Sequence, residues 1–298
     1  MRKFLISILF LALNFTFGQN REQQNNSVYY KEIVSVLAND SLGGRATSTI
    51  YEDKTANFIC KNFKNFKRFK PKFQQFNYSR KDSTTIKTSR NIYCYIDNKA
   101  KTTILIGAHY DHLGRGEGIS RTYNKKGIHN GADDNASGVA LLLGLAKKFK
   151  SWENKKYNYL FVSYSAHEIG LFGSAAFSKF AKENFKPIAL ALNFDMVGRL
   201  DNDRKVFNVY GKETLTETQN QKMDLVTFDG IVMTNFSNKI YQCDLKTFAE
   251  NGIPCLTFTT GIHSDYHTIT DDEEFINYNG MLQIEKYVLD LISKITTP

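Results

Sequence analysis

From Thr102 to the C-terminus, short apolar runs rich in β-branched and aromatic residues alternate with longer segments of helical spacing. This alternation constrains the fold more than any other feature. Thr102–Ala108, Tyr159–Ser165, Ile188–Phe194, Val206–Tyr210 and Pro254–Phe258 read as strands, and Ala136–Phe149, Ser174–Asn184 and Gly280–Ile295 as helices. Strands separated by helices pair in parallel through crossovers, and a parallel sheet must be covered on both faces. Upstream, Val28–Leu37 and Tyr51–Phe66 have helical spacing, and Phe73–Tyr78 looks extended. There is no repeat, low-complexity tract or linker between two cores, and 298 residues suit one large unit. The expectation is a single α/β domain over 28–298, with a mixed, mostly parallel central β-sheet and helices on both faces.

The first residues have another character. Arg2 and Lys3 precede an almost uninterrupted apolar run from Phe4 to Phe17, and Thr16 and Gly18 are small enough for a cleavage site. The run is short of the roughly 20 residues of a spanning helix and reads as a signal peptide, residues 1–18, followed by a loose polar tail over 19–27. The product is expected to be exported, periplasmic or extracellular, without stable membrane association.

The chain is basic, with a formal net charge of +9, part of it in KNFKNFKRFKPK at Lys61–Lys72. Cations interleaved with phenylalanines suit single-stranded nucleic acid, but no nucleic-acid motif accompanies them. They read as a helix with apolar residues inward, ending before Pro71. Cys60, Cys94, Cys243 and Cys255 lack the spacing of a zinc knuckle. Export permits a Cys243–Cys255 bridge, and buried free thiols are an equal alternative.

The chemistry concentrates in five segments: GAHYDHLG (107–114), HNGADDNASG (129–138), SAHEIGLFGS (165–174), LNFDMVGR (192–199) and HSDYHTITD (263–271). All six histidines, His109, His112, His129, His167, His263 and His267, lie in them. Each alone has an ordinary structural reading, but their joint occurrence points to metal, since catalytic zinc takes imidazole and carboxylate ligands from separated segments. His109, Glu168 and Asp195 each fall where a strand is expected to end, and ligands of open α/β sheets bind outside the carboxyl ends of strands.

In order, from LANDSLGGRATST to DDEEFINYNGM, the chain resembles the zinc metallopeptidases of family M28, which include secreted bacterial aminopeptidases and glutaminyl cyclase relatives. The resemblance implies a zinc exopeptidase-like fold and one or two Zn2+ ions. It implies that His109 and Asp195 hold one ion, that Glu168 and His267 hold the second, and that Asp133 bridges them. It also implies peptide or protein N-termini as substrate.

The pattern breaks at one position. Hydrolytic members carry two adjacent glutamates, a general base and a ligand, whereas this chain has His167 before Glu168. An imidazole is a competent base near neutral pH, and a nearby metal would depress its pKa and keep it neutral. The leading expectation is therefore an aminopeptidase with His167 as base. Asp111 would orient His109, and Asp134 would shape the turn at the bridging residue. Tyr266 would donate to the oxyanion, with a packed aromatic as the alternative. Other readings are a zinc-binding, catalytically weak peptide-binding homologue or a glutaminyl-peptide cyclase.

Overall fold

The structure, a computed structural model, describes residues 26–80, 83–116, 119–122, 126–226, 232–236 and 239–296. The expected signal peptide lies outside them, as does the tail except for residues 26 and 27, which are already helical. Helix α1 covers 26–37. After a short 3-10 segment, Asp40–Arg45, come α2 (Ile50–Lys64), β1 (Lys72–Tyr78), β2 (Lys87–Ile96) and β3 (Thr103–His109). They are followed by α3 (Gly138–Phe149), β4 (Asn158–Tyr164), α4 (Phe172–Asn184), β5 (Ile188–Phe194) and β6 (Val206–Tyr210). The chain closes with α5 (Glu217–Asp224), β7 (Val232–Phe236), α6 (Lys246–Glu250), β8 (Cys255–Thr259) and α7 (Tyr278–Thr296).

One eight-stranded sheet has the order β1-β2-β4-β3-β5-β8-β6-β7. Its centre, β4-β3-β5-β8, is parallel. Antiparallel pairs join β1 to β2, β2 to β4 and β8 to β6. Every residue of β3 and β4 is buried, as expected of strands covered on both faces. Ile104, Ile106 and Phe161 pack with α1, α2, α3 and α7, whereas Leu105, Leu160 and Val162 pack with α4 and α6. The alternation of side chains across the pleat thus produces two apolar layers from one continuous hydrophobic run.

The Phe–Lys run keeps its amphipathic character, although α2 stops at Lys64, well before Pro71. Phe63, Phe66 and Phe69 are buried. Phe69 meets Phe161 edge-on, with ring centroids 5.1 Å apart, so these three rings are core and the lysines face water. All four cysteines are free and buried, which decides the thiol question against a Cys243–Cys255 bridge. Sequence spacing missed β2, β7, α5 and α6. The missed β2 pairs antiparallel with both β1 and β4; its burial is continuous rather than alternating from Asn91 to Cys94, so it lacks a clean period. Among the described residues no helix is long and apolar enough to cross a membrane.

Phe161 is fully buried between Phe69 and Phe149. Phe161→Ala should lower the free energy of unfolding by about 3–5 kcal/mol, measured by denaturant titration.

Candidate metal centre

The parallel strands end on one side of the sheet, and the polar segments begin there. His109 is the last residue of β3, Asp195 follows β5, and Glu168 lies four residues past β4. Gly131 enters the 132–137 turn with φ +57°, and a Cβ there would overlap the Asp134 carbonyl oxygen and the His112 ring, so glycine is required on both counts. Ala166, Met196 and His267 also have positive φ, between 57° and 60°. Non-glycine residues in this region cluster where a site over-determines the backbone.

The carboxylate at the centre is that of Asp134. Its Oδ1 is 3.3 Å from His109 Nε2, and its Oδ2 is 3.2 Å from His267 Nε2. Asp195 Oδ1 stands 3.6 Å from the same His109 nitrogen, and Glu168 Oε2 stands 3.2 Å from the same His267 nitrogen. Asp133 points elsewhere: its Oδ1 accepts from Gly198 N and Ser137 Oγ, and its Oδ2 lies 3.2 Å from His263 Nε2. The structure therefore brings His109, Asp195, Glu168 and His267 together around Asp134, and leaves Asp133 outside. Adjacent residues on a tight turn project in different directions, which a one-position reading of DD does not resolve.

Several neighbours hold this arrangement. Asp271 accepts the backbone N–H groups of Asp133 and Asp134, each at 3.0 Å. Arg45, almost wholly buried, donates to the carbonyls of Leu37, Tyr110, Asn130, Gly131 and Asp134. Burial pushes its pKa down to about 10 against the pull of Asp134, Asp271, Asp111 and Glu168. His112 Nδ1 reaches Glu168 Oε1 at 2.8 Å. Asp111 meets the His109 ring through its backbone rather than its carboxylate. Its backbone carbonyl, at 3.2 Å, meets His109 Nδ1, while its carboxylate accepts from His167 N, Glu168 N and Thr47 Oγ1.

His167 lies flat on His109, ring centroids 3.7 Å apart and planes 9° from parallel. Its Nδ1 is 3.0 Å from Oδ2 of Asp244, a buried carboxylate. Burial and His109 push the His167 pKa down, but Asp244 and Asp195 outweigh them and hold it at about 9. The protein's own groups thus favour the cation, and a depressed value rests on a bound metal alone. Tyr266 stacks on His267 at 3.8 Å and borders a cavity of about 160 Å³ that Asp134, His167 and Asp195 also line.

His109 Nε2 and His267 Nε2 are buried and have no hydrogen-bond partner among the described residues, yet each faces two carboxylates. Two groups, His109–His167–Asp195 and His112–Asp134–Glu168, have ligand atoms within 4.8 Å of one another. Imidazole with carboxylate is the donor set of divalent transition metals. The residues fit.

Sequence reading gave Asp134 only a turn-shaping role, named His112 only as one of six clustered histidines, and assigned no role to Arg45, Asp244 or Asp271. His112 and Asp271 lay within the polar segments, whereas Asp244 is a lone acid in an unremarkable loop.

A mostly parallel sheet that gathers imidazoles and carboxylates at its carboxyl edge defines an α/β protein suited to hold cations. The chain belongs to peptidase family M28, whose profile matches residues 91–292. A probable leucine aminopeptidase of Arthroderma otae is 26% identical over 216 residues, which are 69% of this chain and 56% of that one. The chain spans about half the length of the curated relatives it matches. Among solved structures, Porphyromonas gingivalis glutaminyl cyclase is similar with a TM-score of 0.74 at 17% identity, covering 90% of this chain and 97% of that one. BSAP, a zinc aminopeptidase from Bacillus subtilis, has a TM-score of 0.70 at 17% identity, covering 89% and 94%. These likenesses show the fold.

Lysine cannot reproduce the guanidinium fork that ties five carbonyls together. Arg45→Lys should therefore lower the unfolding free energy by about 2–4 kcal/mol, read from chemical denaturation followed by circular dichroism.

Proposed function

We propose that the protein is an exported zinc-dependent exopeptidase, an aminopeptidase acting on peptide or protein N-termini. The observation that carries this reading is the Asp134 carboxylate shared between two flanking pairs, His109 with Asp195 and Glu168 with His267. Asp134 takes the bridging role that family resemblance implied for Asp133. The names of the curated relatives support the substrate class, and the apolar start of the chain supports export.

When bound, zinc would polarise a peptide carbonyl and acidify water. The chain's own residues supply the rest. Asp244 accepts the Nδ1 proton of His167 and fixes the ring, so Nε2 is the nitrogen left to take a proton from attacking water and return it to the departing amine. Tyr266, bordering the same cavity, donates its hydroxyl to the developing oxyanion. Burial and the neighbouring acids raise its pKa and keep it a donor.

One observation favours a second reading. His167 belongs with His109 and Asp195 to a group that can hold one cation. As a ligand rather than a base, His167 would make the protein a weak catalyst that binds zinc and peptide.

Bound zinc measured by plasma mass spectrometry should fall by at least half in Asp134→Ala and stay near wild type in Asp133→Asn. The reverse pattern would remove the bridging assignment. In steady-state assays on aminoacyl anilides, His167→Ala should lose about 10²–10⁴ in kcat and His167→Glu should retain activity. Activity that appears only in the glutamate variant would favour the second reading. The cluster's two central imidazoles are held protonated in the protein alone: burial lowers the pKa values of His109 and His267, but Asp134 and its acidic neighbours lift both, His267 to about 10. Zinc titration at pH 7 in two buffers of different ionisation enthalpy should therefore show release of about one to two protons per protein.

A further inference from the structure

Three of the clustered histidines, His112, His129 and His263, have no part in the proposed chemistry, and one of them bonds directly to a proposed ligand. Glu168 divides its two oxygens between two imidazoles. Its Oε1 lies 2.8 Å from His112 Nδ1, and its Oε2 lies 3.2 Å from His267 Nε2. An ionised carboxylate can only accept, so the close nitrogen of His112 carries the proton and donates it. A ring nitrogen that bears a proton has no lone pair to offer a cation. His112 therefore differs in kind from His109 and His267, whose Nε2 atoms each face two carboxylates. The same His112 Nδ1 stands 3.8 Å from Asp134 Oδ2, between two acids whose charges oppose one another.

The donor is fixed at both ends. His112 is buried, and its ring packs so closely on Gly131 that a Cβ there would overlap it. Its backbone N–H donates to the carbonyl of Arg45 at 3.3 Å, and the Arg45 guanidinium in turn holds the carbonyls of Asn130, Gly131 and Asp134. The ring of His267 meets that of His112 edge-on, centroids 6.0 Å apart. On the other side, the backbone N–H of Glu168 donates to the Asp111 carboxylate. Two consecutive residues just past β3, Asp111 and His112, thus secure Glu168 at its backbone and at Oε1. A free carboxylate can meet a cation through one oxygen or through both, and with Oε1 engaged only Oε2 is presented beside His267 and Asp134.

We propose that His112 is a positioning residue for metal binding, which holds Oε1 of Glu168 and so presents Oε2 alone to a cation shared with His267 and Asp134. The inference rests on the metal reading above and extends it from the residues that would touch the ion to one that would not. Ligands depend on such hydrogen-bonding partners, whose loss typically weakens metal binding about 10–100-fold.

Zinc affinity of the full chain, measured by competition with a chromophoric chelator, would be compared in wild type, His112→Ala and His112→Asn. The asparagine amide nitrogen can stand where Nδ1 stood and donate to Oε1, but it cannot replace an imidazole ligand. In His112→Ala at least one zinc ion should be held about 10–100-fold more weakly, and His112→Asn should return to within about three-fold of wild type. Undiminished affinity in His112→Ala would overturn the proposal, and so would His112→Asn binding as weakly as His112→Ala. Wild type supplies a second measurement that no folding defect can obscure. With isotope-labelled histidine in the zinc-loaded protein, long-range proton–nitrogen correlation spectra should show His112 Nδ1 protonated; a metal-bound Nδ1 would overturn the proposal. Wild type that takes up no zinc would remove the metal reading and this inference together, whereas zinc binding indifferent to His112 would remove this inference alone.

Discussion

A single buried carboxylate, Asp134, placed between two imidazoles sets the terms for the rest of the site. An isolated carboxylate at that depth would be expensive, and its neighbours supply the compensation. Burial alone would raise its pKa, but His109 and His267 hold it well below the usual range. Glu168, balanced between burial, Asp134 and the same histidine together with His112, is drawn down to about 2. Negative charge is thus concentrated between the imidazoles, and the unpaired nitrogens of His109 and His267 face it. Such a cluster is stable as an ion-paired network and is equally prepared to exchange protons for a cation.

The scaffold explains why this geometry is reproducible. Parallel strands β3, β4 and β5 deliver three of the polar segments to the same edge, because parallel pairing leaves all their carboxyl ends on one side. The fourth segment, which carries Asp134, does not come from a strand. It is held by Arg45 through backbone carbonyls and by Asp271 through backbone N–H groups. The buried guanidinium therefore connects the N-terminal segment with the 130–134 turn, and it does so without touching any group proposed to bind metal through its side chain. Asp111 plays a comparable part for His167 and Glu168.

Much of this was legible in the sequence, for physical reasons that differ by element. β5 begins and ends where spacing placed it, since buried parallel strands read as continuous apolar runs bounded by polar residues, and β6 does so as a half-buried strand with alternate residues inward. His109, Glu168 and Asp195 stand out at expected strand ends and His267 in a histidine-bearing segment, and the structure brings these four side chains together. The choice between Asp133 and Asp134 was not legible, because adjacent side chains diverge by backbone geometry that composition does not encode. Asp244 was hidden for another reason: its partner His167 lies 77 positions away in the chain, and only the packing of α6 and its preceding loop against the sheet brings them together. His167 itself was visible as a departure, and Asp244 gives that departure a structural context.

The proposed metal position is on Asp134, between the two imidazole–carboxylate pairs. Anomalous diffraction at the zinc absorption edge, from crystals of the zinc-loaded protein, tests it most directly. A peak is expected within bonding distance of Asp134 together with His109 or His267. A peak on Asp133 and His263, with none beside Asp134, would contradict it.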